Sequence, residues 1–336
     1  MRWAPLRTLL SSAGIFLFNA KMSSTDPEPV LSSLALRSCR ICPRQCGCDR
    51  IAGAHGFCRT DAGLNIAAIT VHRGEEPAIS GPLGICNVFF GHCNLQCRFC
   101  QNHQISGNDR PIPRAGWSLT QAMDAIAAIL ATGVQRLGFV SPSHLAPQMA
   151  TIIQEVRRRG LRPIVVYNSN GYDRVQTLQA LEDWVDVYLP DYKYSDARLA
   201  RALSGAADYP EVAAAALAEM YRQKGNLLHL DDDGLAVRGL IVRHLVLPGA
   251  VTNSLNVLRF LANELSPRLT LSLMAQYQPT AAVADLPPLN RPLSAAEYHQ
   301  VAAELERLGF ANGWLQDMAS AGCYNPDFSR STPFSD

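Results

Sequence analysis

The 336-residue sequence has almost no charge of one sign to spare. Its 30 Lys and Arg stand against 29 Asp and Glu, a formal net charge of +1. Bulk electrostatics therefore gives no case for a nucleic acid or an anionic membrane as partner. A membrane-spanning run is also lacking: the mostly apolar Leu9 to Phe18 falls short of the roughly 20 residues a spanning helix needs. Nor are the cysteines spread as a disulfide framework spreads them. The ten cysteines crowd into 39–58 and 86–100, with Cys323 alone, and crowding at short spacing reads as metal ligation. Apolar substance is plentiful: 48% hydrophobic residues suit one large domain, or a domain plus a small module.

The chain is organised around Gly91-His92-Cys93-Asn94-Leu95-Gln96-Cys97-Arg98-Phe99-Cys100-Gln101-Asn102, entered from the largely apolar run Ile85 to Phe90. Three thiolates at the spacing C-x3-C-x2-C can hold three irons of a [4Fe–4S] cube. The fourth iron is then left without a protein ligand and is open for chemistry. Two other readings compete: a closed zinc site with His92 as fourth ligand, and three buried free thiols. Asn94, Gln96 and Arg98 make the interval polar, which suits a ligand loop better than a buried strand.

A second group precedes it: Cys39-Arg-Ile-Cys42-Pro-Arg-Gln-Cys46-Gly-Cys48, then Gly56-Phe57-Cys58. Cys39, Cys42, Cys46 and Cys58 are the expected ligands, with Cys48 to spare. Gly47 and Gly56 let the backbone bend around an ion. Zinc and a second iron–sulfur cluster both fit, and unligated thiols on a surface loop are the alternative. Further upstream, Arg2, Arg7 and Leu9 to Phe18 look like a signal peptide, but no clear small-x-small cleavage site follows. The expectation is a start read too early, with Met22 as the true one, and a linker through 36. The division is then leader and linker 1–36, Cys-rich module 37–62, catalytic body 63–318, and a tail 319–336.

Within the body, apolar runs alternate with helical periodicity, which argues for parallel strands joined by crossover helices. The expected strands are Ile85–Phe90, Leu137–Val140, Pro163–Tyr167, Val185–Leu189, Gly239–Leu247 and Leu271–Gln276. The expected helices include Leu119–Ala131 capped by Ser118, Ala146–Arg158, Val175–Leu181, Ala197–Leu203, Pro210–Lys224, Asn253–Leu265 and Ala295–Leu308. Most of the strands end in polar residues, and in barrels of this kind such ends gather on one face.

The C-x3-C-x2-C spacing with Phe99 just before its last cysteine resembles the signature of the radical S-adenosylmethionine (radical SAM) enzymes. Most of the chain shares the likeness, in particular with the PflX group, homologues of pyruvate formate-lyase activating enzyme. That group has a similar C-x2-C-P-x2-C-G stretch and a Pro-Asp-Phe tail, matched here by Pro326-Asp327-Phe328 and a later Pro333-Phe334. The resemblance implies an α/β fold, a partial (β/α)6 TIM-like barrel, with a [4Fe–4S] cluster on Cys93, Cys97 and Cys100 and SAM as cofactor. It implies that Phe99 lies near the adenine and that Asn102 belongs to the same site. Asp191 and Lys193 would meet the ribose and carboxylate of SAM, and Arg243 would face the barrel interior with His244 on the opposite side.

The sequence departs from the pattern after the second strand. Gly-Gly-Glu is replaced by Ser141-Pro142-Ser143-His144, so Ser143 and His144 are the candidates for the amine of SAM. Gln276 stands where the activating enzymes place a histidine, and no ferredoxin-like insert follows Cys100.

The expected activity is reductive cleavage of SAM to a 5′-deoxyadenosyl radical and hydrogen-atom abstraction, as in enzymes that activate a glycyl-radical partner protein. Electrons come from a reduced flavodoxin- or ferredoxin-type donor, or from the 39–58 module if it holds iron, in a reducing cytoplasm. The alternatives are a radical SAM enzyme acting on a small molecule or peptide, and a non-enzymatic iron–sulfur or zinc protein that carries electrons or docks partners.

Overall fold

The structure is a computed structural model that describes residues 2–6, 30–113, 115–322, 326–330 and 332–334. The leader-like run Leu9 to Phe18, Met22 and Cys323 lie outside the described residues. β1 (Trp3–Pro5) pairs antiparallel with a strand near the far end of the chain, and Leu6 is buried behind it. A short 3-10 turn at Ser33–Ser38 leads into the cysteine module. Then come β2 (Ile66–His72), the single-turn helix α1 (Pro77–Ser80) and β3 (Ile85–Phe90).

After α2 (His103–Ser106) the chain alternates: α3 (Leu119–Leu130), β4 (Arg136–Val140), α4 (Ala146–Arg158), β5 (Ile164–Ser169), α5 (Val175–Ala180), β6 (Val187–Pro190). Next are α6 (Ala197–Ser204), α7 (Tyr209–Lys224), β7 (His229–Leu230), β8 (Ala236–Leu245), α8 (Val251–Phe260), β9 (Thr270–Met274), α9 (Ala295–Arg307) and β10 (Asn312–Gln316). The caps explain several boundaries. Ser118 and Ser294 each close a reciprocal capping box, with Gln121 and Glu297, and Asp196 caps α6.

The strands lie in the order β1-β10-β9-β8-β6-β5-β4-β3-β2, with β7 paired to β8. Neighbours from β3 to β10 along this path are parallel, and the two end strands, β1 and β2, are antiparallel. The ends do not pair with each other, so the sheet is an open curve. Successive strands add on one side, so the crossover helices share the outer face. There they build the large core that includes Ile126, Ile152, Leu178, Leu217, Leu258 and Val301.

Six parallel strands were expected, and seven form among the described residues. β10 was missed because Asn312-Gly-Trp-Leu-Gln316 is half-buried and only Trp314 and Leu315 in it are apolar, too short a run to mark a strand. β2 was missed too, its alanines giving no clear period. β5 runs on through Asn168 and Ser169, expected to be loop, because the Asn168 carbonyl accepts from Ser141 N–H at 2.8 Å.

Candidate active site

Strand side chains alternate between faces, and the inner face here changes character along each strand. Near the strand starts it is apolar: Ile85, Val166, Leu189 and Ile241 pack on Ala78 and Ile79 of α1, which plugs the curve from below. Two residues further on, the same face carries Asn87, Asn168, Asp191 and Arg243. Asn87 has room because Gly138 faces it; a Cβ there would lie 2.0 Å from Asn87 Oδ1.

The loop before α1 drops Glu75 into this polar layer. Its Oε1 accepts from Asn87 Nδ2 at 3.0 Å and Asn168 Nδ2 at 3.2 Å, and its Oε2 from Arg243 at 2.9 Å. Arg243 also donates to Asp191 Oδ1 at 3.1 Å and to Asn168 Oδ1 at 2.5 Å. Lys193 donates to the other Asp191 oxygen. Burial opposes ionisation of Asp191, but Lys193 and Arg243 outweigh it and hold the carboxyl below the usual range. His244 points the other way, to the Tyr192 carbonyl at 2.7 Å and Ser254 Oγ at 2.8 Å, as strand alternation requires.

This layer is the floor of a cavity of about 1260 Å3 including its open mouth, and Cys93, Cys97 and Cys100 line the same cavity. Each sulfur accepts a hydrogen bond: Cys93 from Asn170 Nδ2 at 3.3 Å and Leu95 N–H at 3.4 Å, Cys97 from Ser204 Oγ at 3.1 Å, Cys100 from Ser106 Oγ at 3.2 Å. Burial pushes the Cys93 thiol up to about 12 and the Cys97 thiol up to about 11. Bare, these sulfurs keep their protons; a bound metal draws them off.

Among the described residues, no three Cys, His, Asp or Glu side chains are gathered to grip a single ion. A cube asks for something else, since its cysteines ligate different irons. Three sulfurs on one cavity wall, each with its own hydrogen-bond donor, suit a cluster's separate irons. His92 is spoken for as well: its ring nitrogens face the carbonyls of Cys58 at 2.9 Å and Arg110 at 3.0 Å.

Phe99 lines the cavity, 5% exposed, with Tyr194 and Tyr277 at ring centroid distances of 6.3 and 6.2 Å. Asn102, Asp191, Lys193 and Arg243 line it too. Ser143 does not. It sits in the 3-10 turn after β4, 2% exposed, beside the buried Asp173 carboxyl, while Ser141 reaches the cavity. The turn carries Ser143 and His144 away from the cavity, and His144 Nε2 meets the Gly91 carbonyl at 3.1 Å.

Residues missed from the sequence are Glu75, Glu76, Asn87, Asn168 and Asn170. Paired acids before Pro77, and an asparagine inside the apolar run of β3, were the available signals.

The 39–58 module packs on the cysteine loop. Besides the Cys58–His92 contact, Arg44 Nε donates to the Asn94 carbonyl at 2.9 Å, and Asn108 donates to the Phe57 carbonyl at 2.9 Å. Cys39, Cys42 and Cys58 are buried and Cys46 is exposed. A Cβ on Gly56 would lie 2.7 Å from Cys46 Sγ and 3.1 Å from Cys48 Sγ, so both sulfurs sit against this turn, Cys46 the nearer. The module is not preformed as a single-ion zinc site. In the tail, Phe328 is buried against Phe89, and Phe334 meets His72 and lines the cavity. No helix among the described residues is long and apolar enough to cross a membrane.

No family model matches the sequence. The uncharacterized protein MJ0674 of Methanocaldococcus jannaschii is 26% identical over 290 residues, 85% of this chain and 78% of that protein. Among solved structures, SuiB of Streptococcus suis bound to S-adenosylmethionine is similar with a TM-score of 0.46 at 11% identity, over 69% of this chain and 50% of SuiB. Methylornithine synthase (PylB) gives 0.47 at 15% identity, over 68% of this chain and 63% of PylB. The chain thus spans about half the length of SuiB. Likeness of this degree assigns no chemistry, which rests on the site's own residues.

Proposed function

We propose that this chain is a radical SAM enzyme in which Cys93, Cys97 and Cys100 hold three irons of a [4Fe–4S] cluster and the charged floor receives SAM. The observation that carries the reading is the shared cavity: three sulfurs, each with its own hydrogen-bond donor, open onto the space that Asp191, Lys193 and Arg243 line. The chemistry the bound pair supplies is one-electron reductive cleavage of the sulfonium and removal of a hydrogen atom from an acceptor.

The chain's own residues bind and orient. The donors from Asn170, Ser204 and Ser106 stabilise anionic sulfur. Asp191 is suited to ribose hydroxyls and Lys193 to a carboxylate, each exchanging part of its present pairing for the ligand. Phe99, backed by Tyr194 and Tyr277, offers an aromatic wall for the adenine.

The finer reading, from the PflX resemblance, is an activating-type enzyme whose acceptor is a glycine Cα of a partner protein docked over the open face. The electron comes from a flavodoxin- or ferredoxin-type donor, or through the 39–58 module if it holds iron, in the cytoplasm. A floor with five charged side chains favours a second reading, in which the acceptor is a polar small molecule or peptide.

Anaerobic reconstitution followed by dithionite and SAM tests the chemistry. Release of 5′-deoxyadenosine is expected; an intact cluster with no release sinks the enzyme reading and leaves a carrier. A glycyl radical appearing on a co-expressed partner separates the first acceptor reading from the second.

A further inference from the structure

We propose that Glu76 is the docking point for a protonated amine of a molecule bound in this cavity. Glu76 lines the cavity and is 1% exposed, and its Oε2 makes no hydrogen bond among the described residues. The neighbouring Ser272 hydroxyl is also buried, lies close enough to favour the ionised carboxyl, and makes no hydrogen bond of ordinary geometry. The acid beside it differs: both oxygens of Glu75 are taken, by Asn87, Asn168 and Arg243. Arg243 does not serve Glu76 in the same way. Its nearest nitrogen stands 4.0 Å from Glu76 Oε2, beyond hydrogen-bond reach, and the guanidinium is already engaged by Glu75, Asp191 and Asn168.

Charge counting points the same way. The charged side chains lining the cavity are Glu75, Glu76 and Asp191 against Lys193 and Arg243, three acids to two bases. With Lys193 paired to Asp191 and Arg243 shared among Glu75, Asp191 and, at 4.0 Å, Glu76, three acids draw on two bases and Glu76 has the weakest share. Burial first, and then Glu75, push its carboxyl above the usual range, with Arg243 opposing. A buried carboxyl oxygen without a donor costs free energy, and an ammonium supplies both the missing hydrogen bond and the missing positive charge. An amine on the acceptor offers that group.

The test uses the full-length, cluster-reconstituted protein and calorimetric binding of n-butylammonium, n-butanol, S-adenosylhomocysteine and 5′-methylthioadenosine, the last lacking the amino-acid moiety. Glu76→Gln keeps the shape and removes the charge. It is expected to weaken an amine-bearing ligand roughly tenfold or more, as loss of a charge-assisted hydrogen bond does. A loss confined to S-adenosylhomocysteine, sparing methylthioadenosine, puts only the cofactor's amine at Glu76 and overturns the acceptor assignment. A loss confined to n-butylammonium assigns it to the acceptor. Equal binding of both amines to wild type and variant overturns the proposal.

Glu76→Asp keeps the charge and is expected to retain the preference for n-butylammonium over n-butanol; if Glu76→Gln fails to fold, loss of that preference in Glu76→Asp overturns the proposal. The acceptor belongs to the radical SAM reading, but the two fail separately. Amine binding through Glu76 without deoxyadenosine release removes only the radical chemistry.

Discussion

Glu75 and Arg243 are 168 residues apart in the chain, yet Glu75 Oε2 accepts a hydrogen bond from Arg243 at 2.9 Å inside the sheet. This contact ties the loop after β2 to β8, two strands that are not neighbours in the sheet order. It also places a charged layer directly above the apolar plug.

A buried pair of this kind is costly to break singly, because one charge is left without its partner. Arg243→Met is expected to destabilise the fold by about 3–5 kcal/mol in urea unfolding. Glu75→Gln in the same background costs less than it does alone, giving a favourable coupling of about 1–3 kcal/mol in the double-mutant cycle. Additive losses contradict the pairing.

Two buried histidines set the acid response. Burial holds His144 down to about 3 and His244 down to about 4. Unfolded histidine titrates near 6.5, so between about pH 6.5 and 4 the unfolded chain binds the extra protons. Stability therefore is full above pH 6.5 and falls as pH drops, by up to about 2–3 kcal/mol per pH unit from the two groups. Unfolding free energies at pH 5, 6 and 7 check this; a flat profile contradicts it.

Gly138→Ala places a methyl 2.0 Å from Asn87 Oδ1. Asn87 must move, and its bond to Glu75 goes with it. A loss of about 1–3 kcal/mol is expected from such overpacking. The same change in an Asn87→Ala background is expected to be milder, and equal penalties in both backgrounds count against the packing account.

Ser204→Ala removes the hydroxyl that donates to Cys97 Sγ at 3.1 Å. Hydrogen bonds to cluster sulfurs raise the reduction potential. The reconstituted variant is expected to keep its iron content and show a midpoint lower by tens of millivolts, on the order of what one lost hydrogen bond to a charged group supplies. An unchanged midpoint contradicts the role given to Ser204.

Much of this site was legible in the sequence. The cysteine spacing marked the loop, apolar runs marked six of the seven parallel strands, and strand alternation set Arg243 inward and His244 outward. What escaped has physical reasons. Glu75 and Glu76 lie before the first expected strand and act across the sheet, through contacts no local period reports. Ser143 was expected in the site because it follows a strand end, but Ser141 takes a left-handed φ of 57° and the 3-10 turn carries Ser143 behind the strands. β10 was hidden because a half-buried strand with only Trp314 and Leu315 apolar gives too short an apolar run.

The central claim is that a cluster on Cys93, Cys97 and Cys100 keeps one iron free for SAM. The electron paramagnetic resonance spectrum of the anaerobically reconstituted, dithionite-reduced protein tests it directly, recorded before and after excess SAM is added. The account predicts a changed line shape and g values that depend on all three cysteines. An identical spectrum with and without SAM contradicts it.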